Sequence, residues 1–311
     1  MKPQDFKSFL VRIGELTMQQ RRALSSAMSN APADCNVIIE ARFGDDPFCP
    51  HCASHDIAPW GKTRGLRRFR CRPCRKTFTA LTGTPLAGLH KRDVWIDYAA
   101  ALVCQASVRK AAKRCGIDKT TSFRWRHRFL TRPCEAKARS LRDIVEADET
   151  FFLESFKGSR NMQRLPRKRG GKAQKRGLSK EQIPVLIARD RHGAMIDARL
   201  PDLSDKAIED VLGPVIGNDV MLVSDGASRY QRIADKAGIK HVGLNASAGK
   251  RCWGIYHIQN VNAYTSRLKD WVRPFKGIAT KYLTNYLGWH RMLDREQGPM
   301  MSATSLAAAL G

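Results

Sequence analysis

Two Cys-x-x-Cys pairs, Cys49-Pro-His-Cys52 and Cys71-Arg-Pro-Cys74, are separated by 18 residues and constrain this chain more than any other feature. Each pair offers two sulfurs on one tight turn, and two such turns give a tetrahedral zinc ion its four thiolates from very little chain. His51 sits inside the first turn and is a competing ligand in principle, but four thiolates already close the shell. No coordination position is then open, so the expected zinc is structural rather than catalytic. The stretch from Pro47 to about Leu86 is too polar to build its own apolar core, and a metal staple supplies the missing stability. The other cysteines, Cys35, Cys104, Cys115, Cys134 and Cys252, are scattered. In a reducing compartment they read as small buried apolar residues.

Charge narrows the choice of partner. The 311 residues carry 55 Lys plus Arg against 29 Asp plus Glu, a net charge of +26. With 42% hydrophobic residues the chain is a folded one, and its positive field selects polyanions, nucleic acid first; a merely solvated basic surface is the alternative. No window approaches the roughly 18 apolar residues of a membrane span. The start, MKPQDFKSFLVRIGEL, is broken by charges where a secretory signal is apolar, so a cytoplasmic protein with no membrane partner is expected. The positive charge is clustered. Eight of residues 62–76 are basic, Arg67, Arg68 and Arg70 among them, and residues 157–180 hold ten Lys or Arg and no acid. The second cluster, with Arg167, Lys168, Arg169 and Lys172, reads as a long arm that grips phosphates.

The periodicity divides the chain into a helical segment (1–46), a zinc ribbon (47–90), a helix-turn-helix region (91–135) and an α/β unit (136–300). The first segment places Phe6, Phe9, Leu10, Ile13 and Leu16 at helical spacing. In the third, two short amphipathic stretches flank Cys115-Gly116-Ile117, and the second carries Arg124, Arg126 and Arg128 as DNA-contacting candidates. In the fourth, strands are expected at about Ile144–Phe152, Pro184–Arg189, Met195–Leu200, Asp219–Ser224 and His241–Leu244. Helices are expected at about Asp205–Ile216, Ser228–Ala237, Ile258–Val272 and Ala279–Leu293. Three strands, helix, strand, helix, strand and then helices describe a mixed-sheet α/β unit of the ribonuclease-H-like kind. The terminal SATSLAAALG carries no clear signal.

Two carboxylates stand where metal chemistry would need them. Asp148 lies inside the apolar strand IVEADETFF, where an unpartnered acid is expensive, and Asp225 ends the strand of DVMLVSDG. On adjacent central strands the two would share magnesium and support phosphoryl transfer. For Asp225, followed by Gly226, a plain turn is the competing reading. A late helix, YHIQNVNAYTSRLKDW, adds Asn262 and Lys269, two turns apart and on one face with Ser266.

The paired cysteines followed by RKTFTALTGTPL, the helix-turn-helix region, the DET strand, VSDGASRY and the helix from His257 to Lys269 resemble bacterial insertion-sequence transposases with an amino-terminal zinc ribbon and an ISXO-like DDE domain. The resemblance runs from about Asp5 to Leu293. It implies a catalytic set of Asp148, Asp225, Asn262 at a position held by Glu or Asn, and Lys269, with His257 as an assisting ligand or base. Magnesium held by Asp148, Asp225 and Asn262, cleavage and joining at terminal inverted repeats of double-stranded DNA, and at least a dimer on that DNA follow from the same resemblance, as does a bacterial, nucleoid-associated location. A regulator that binds DNA through the ribbon and helix-turn-helix without cutting it is the rival expectation, kept open by Asn262. A general nuclease is weaker, since two recognition modules would be superfluous to it.

Overall fold

The computed structural model describes residues 8, 12, 15–21, 34–44, 46–162, 164–167, 171, 173–175, 179–245, 248–296 and 301–311. Phe6, Phe9, Leu10 and Ile13, and with them most of the first expected helix, lie outside these residues. The described part of that segment holds one well-formed helix, α1 (Cys35–Ala41), capped by the Asp34 side chain on Asn36 N at 2.8 Å.

The ribbon is a three-stranded antiparallel sheet, β1 (Ile57–Thr63), β2 (Leu66–Cys71) and β3 (Thr77–Phe78). Its small core is aromatic: Phe43, Phe69 and Phe78 meet with centroids 5.7–6.2 Å apart. Helices α2 (Trp95–Val103), α3 (Val108–Arg114), α4 (Lys119–Phe129) and α5 (Thr131–Glu135) follow. Ser107 caps α3 and Asp118 caps α4, and Gly116 takes the left-handed φ of +59° that the tight turn between them needs.

The second half is built on one five-stranded sheet of β4 (Ile144–Leu153), β5 (Gln182–Asp190), β6 (Met195–Arg199), β7 (Met221–Ser224) and β8 (Lys240–Gly243), ordered β6-β5-β4-β7-β8. The first three strands are antiparallel, whereas β7 and β8 run parallel to β4 and to each other. Between and after them run α6 (Asp205–Leu212), α7 (Ser228–Ala237), a small hairpin of β9 (Cys252–Trp253) and β10 (Tyr256–His257), and helices α8 (Gln259–Val272), α9 (Leu283–Arg295) and α10 (Ser302–Leu310). Strand alternation sorts the faces. Val145 and Ala147 of β4, with Leu186 and Ala188 of β5, pack under α6 and α7. Val185 and Ile187 turn the other way, toward Val261, Tyr264 and Leu268 of α8.

That second face is continuous with the helices and the ribbon, so ribbon, helices and sheet share one apolar core. Two devices hold it closed. Arg128 donates to the carbonyls of Pro85 and Ala87, and Arg132 to that of Gly83, tying α4 and α5 to the chain leaving the ribbon. The carboxyl-terminal segment, silent in the sequence, is a helix: α10 buries Leu306, Ala309 and Leu310 against α2 and α1. Its all-small and Leu composition shows no strong amphipathic period because neighbours surround it on several sides.

Gly288 marks the closest approach. A Cβ there would lie 2.3 Å from Cys134 Cα and 2.6 Å from the Pro133 carbonyl oxygen, both backbone atoms of α5. Gly288→Ala is therefore expected to destabilise the protein by about 3 kcal/mol or more. Urea unfolding of the two proteins measures this.

Candidate functional site

The parallel register aligns Ile144 with Met221, Val145 with Leu222 and Glu146 with Val223. Continued by two residues, it sets Asp148 level with Asp225, just beyond the end of β7. Asp148 is pushed up from 3.8 to about 6, chiefly by burial, then by the charges of Asp225 and Glu149, against the opposing Glu149 N–H and Lys269. Asp225 is exposed, and its Oδ1 also accepts from Ala227 N at 3.0 Å, so the turn role foreseen for it coexists with its place beside Asp148. Gly226 at φ +86° and Gly243 approach so closely that a Cβ on Gly243 would stand 2.9 Å from Gly226 Cα. This contact brings Asp225 round to the end of the sheet.

Helix α8 lies across β4 and β5. Val261, Tyr264, Leu268 and Trp271 are its buried stripe, leaving Asn262, Ser266 and Lys269 together on the exposed side. Lys269 is near enough for its charge to lower the Asp148 pKa. Asn262 is exposed, and its backbone N–H bonds to Ile258.

The residue that orients this helix is absent from the sequence-based set. Glu146, fully buried, faces the same side as Asp148 because the two are two apart on one strand. Its Oε2 accepts from the Asn260 and Val261 amides at 2.9 and 3.2 Å, and its Oε1 from Asn260 Nδ2 at 2.8 Å. Arg191 approaches Oε1 at 3.2 Å and His257 at 3.5 Å. His257 is engaged on its other side by Arg191 at 2.8 Å, and its Nδ1 accepts from Gln259 N at 3.3 Å. It is a brace at the start of α8. Period-two reading of IVEADETFF could have found Glu146, a second acid on the buried face of the same strand. On the opposite face Glu149 accepts from Tyr230 OH at 2.9 Å, with Arg229 at 3.9 Å. Burial is the main cause of its raised pKa.

The four cysteine sulfurs Cys49, Cys52, Cys71 and Cys74 all lie within 4.8 Å of one another. Cys49 to Cys74 is 3.6 Å and Cys52 to Cys71 is 3.5 Å. A tetrahedral ion with zinc–sulfur bonds of ~2.3 Å sets its sulfurs about 3.8 Å apart, so the donors fit. The two turns are copies: Cys49 N bonds to Ser54 O and Cys71 N to Lys76 O, each at 2.9 Å. Ala53 and Arg75, each next after a second cysteine, both take φ +57°. His51 gives its backbone N–H, not its ring, to Cys49 Sγ at 3.4 Å.

The arginines expected on DNA divide. Arg124 is exposed on α4. Arg126 is buried, donates to the Ala106 carbonyl and lies over the Phe275 ring, so it does not share that surface. Positions two apart on a helix point nearly opposite ways, which puts Arg126 inside when Arg124 and Arg128 face out. Arg128 holds ribbon carbonyls as described. Arg67 pairs with Glu40 at 2.8 Å, Arg68 bonds to Thr77 at 2.9 Å and Arg70 lies 4.8 Å over the exposed Trp60 ring. Arg167 is fastened to Glu181 at 2.8 Å and to the Glu154 carbonyl at 2.6 Å. Lys168, Arg169 and Lys172 lie outside the described residues. Of the scattered cysteines, Cys35 and Cys115 are buried as expected, whereas Cys104 and Cys252 are exposed. A cleft of about 900 Å³ between the root of the basic loop and residues 272–283 includes neither Asp148 nor Asp225. No helix among the described residues is long and apolar enough to cross a membrane.

Residues 140–289 match the ISXO2-like transposase domain. Over 284 residues the chain is 24% identical to a protein of Halobacterium salinarum described as an uncharacterized protein in transposable element ISH50, covering 88% of this chain and 95% of that one. Among solved structures, a chain of the simian T-cell lymphotropic virus intasome with a PP2A regulatory subunit overlaps 62% of this chain and 66% of its own length, at 10% identity and TM-score 0.28. A pre-cleavage Mos1 transpososome overlaps 70% of this chain and 79% of its own, at 13% identity and TM-score 0.23.

The raised Asp148 has a thermodynamic consequence. The folded protein binds that proton more tightly than the unfolded chain, so stability falls as pH rises from about 4 to about 6 and the full cost is present above that window. Asp148→Asn cannot ionise and is expected to be more stable than the unaltered protein at pH 7.5 in magnesium-free buffer, by roughly 2 kcal/mol. The difference should shrink toward zero near pH 4, as followed by thermal melts across the range.

Proposed function

Because residues 140–289 carry an ISXO2-like transposase domain, we propose that this chain is a DNA transposase that binds the terminal inverted repeats of its element and catalyses magnesium-dependent strand cleavage and strand transfer. The observation that carries the reading is the level placement of Asp148 and Asp225 on adjacent parallel strands, with Lys269 of α8 close enough to act on Asp148. The strand sense, two antiparallel additions on one side of β4 and two parallel strands on the other, is that of a ribonuclease-H-like core.

In this mechanism Asp148, Asp225 and the Asn262 amide oxygen hold magnesium through hard oxygen donors, a set that suits this ion and not a soft one. Burial first, and then the negative charges of Asp225 and Glu149, raise Asp148, and a cation held by these groups would offset both. The bound metal supplies activation of the attacking oxygen and stabilisation of the leaving one. Lys269 holds a phosphate oxygen beside the carboxylates. Glu146, Arg191 and His257 fix the start of α8 and so set where Asn262 and Lys269 stand. Cys49, Cys52, Cys71 and Cys74 hold structural zinc, and the ribbon with α3 and α4, acting as a helix-turn-helix, reads the element ends. Arg124 and the exposed Lys119 and Thr120 are the groups of α4 available for that contact. The basic loop grips phosphates of flanking or target DNA, and two copies of the chain act on a pair of ends.

A DNA-binding regulator without catalysis is the second reading. It is favoured by Asn262, which brings no charge to the third position.

Duplex DNA carrying the repeats that flank the gene separates the two. In magnesium or manganese the protein is expected to nick at the repeat boundary. Asp148→Asn and Asp225→Asn should each slow nicking roughly a hundredfold or more while binding the ends normally, since a metal ligand is lost. End binding with no nicking by the unaltered protein establishes the regulator. Protein purified without chelator should contain about one zinc per chain by elemental analysis, and a Cys71→Ser, Cys74→Ser protein should contain almost none.

A further inference from the structure

Between β8 and α8 the chain makes a hairpin of two-residue strands, with Trp253 paired to Tyr256 and Cys252 to His257. Hairpins this short are not stable alone in water. This one is fastened at its base: Tyr256 packs with Val223, Val242 and Leu244, and Arg191 bonds to the Ile255 carbonyl at 3.1 Å and to the His257 ring at 2.8 Å. Its tip is bare. Trp253 is 61% and Ile255 66% exposed, with Gly254 at φ +57° turning the chain between them. Lys250 and Arg251, both exposed, lead into it.

Its position is set by the parallel strands. β7 and β8 end on the same side of the sheet, and the first residues beyond β8 pass the turn that carries Asp225, with Leu244 N bonded to Ser224 O at 2.9 Å and 3.5 Å from where a Gly226 Cβ would stand. The hairpin then leads directly into the helix bearing Asn262 and Lys269. The base of the hairpin therefore lies at the end of the sheet where Asp225 stands, with an exposed apolar tip and the cations Lys250 and Arg251 leading into it. Among the described residues, the ring contact of the Trp253 indole is with the tilted Tyr256 ring, 5.8 Å away.

On the reading of the chain as a transposase, we propose that this hairpin is a wedge: Trp253 stacks on a nucleobase unpaired next to the cleaved phosphate, Ile255 occupies the vacated step, and Lys250 and Arg251 hold the adjoining phosphates. Base-on-aromatic stacking is tolerant of sequence and suits a single exposed indole. Apolar wedges open base steps at the cost of unstacking, which the added contacts of the bent DNA with the protein offset. Lifting one base frees the backbone beside it to turn toward the half-buried Asp148 and the exposed Asp225.

The test uses element-end duplexes with 2-aminopurine placed in turn at each position flanking the nick, bound without divalent cation. The unaltered protein is expected to brighten severalfold the position that loses its stacking neighbour, next to the lifted base, while the lifted base itself stays quenched on the indole; Trp253→Ala should abolish the brightening, Trp253→Phe should retain most of it, and the melting temperature of both should be unchanged because the residue is exposed. In magnesium, Trp253→Ala should nick the paired duplex about tenfold or more slowly and recover on a duplex mismatched next to the brightened position. Binding and nicking by the unaltered protein with no brightening anywhere, or a Trp253→Ala protein as fast as the unaltered one on paired ends, overturns the wedge and leaves the transposase standing. Failure of the unaltered protein to bind or nick the ends removes the transposase reading, and the wedge with it.

Discussion

One buried carboxylate ties the two halves of the candidate site together. Glu146 stands on the central strand with no exposed surface and accepts from two amides at the start of α8, where the helix dipole and the unpaired N–H groups favour negative charge. Arg191 and His257 complete its partners. A charge removed from water in this way is costly unless every lone pair is satisfied, so the arrangement admits essentially one placement of the helix on the strand. From that placement follow the nearness of Lys269 to Asp148, the exposure of Asn262 and the rooting of the hairpin at residues 252–257.

The same economy of charge runs through the rest of the molecule. A chain with 55 basic residues does not present all of them to a polyanion. Arg128 and Arg132 close the ribbon against the helices, Arg126 fills the interior beside Phe275, Arg167 secures the base of the basic loop, and Arg291 is paired with Asp197 in the core. Guanidinium suits these tasks because it reaches several carbonyls at once in a fixed plane. What is left facing outward, including Arg124, Lys250 and Arg251, is a smaller set than composition suggests, and a better guide to contacts.

The elements of the α/β unit were legible because their residues obey simple periods. The strand expected over Ile144–Phe152 spans Ile144–Leu153, and the helix expected over Ser228–Ala237 has those bounds. The strand expected from Asp219 begins only at Met221, since residues 217–220 form a turn. Helix α10 was illegible: a short run of Ala, Ser and Leu matches no amphipathic template, and only its neighbours make it a core element. Glu146 was legible by parity and overlooked beside Asp148. Its role was not legible, because its partners Arg191, His257 and Asn260 lie 45 to 114 residues away in the chain.

By itself the sequence determined whatever depends on local spacing and residue chemistry: four thiolates on two tight turns, the alternation of strands and helices, an acid within an apolar strand, and a basic excess. These survive any packing, since two-residue and 3.6-residue periods and the ligand preferences of sulfur are properties of short segments. Tertiary structure alone decided which side chains meet. The register of β4 on β7 set Asp148 against Asp225, burial raised the Asp148 pKa, and close packing turned several arginines inward while leaving one tryptophan outside. Such outcomes depend on contacts between residues far apart in the chain, which no short window contains.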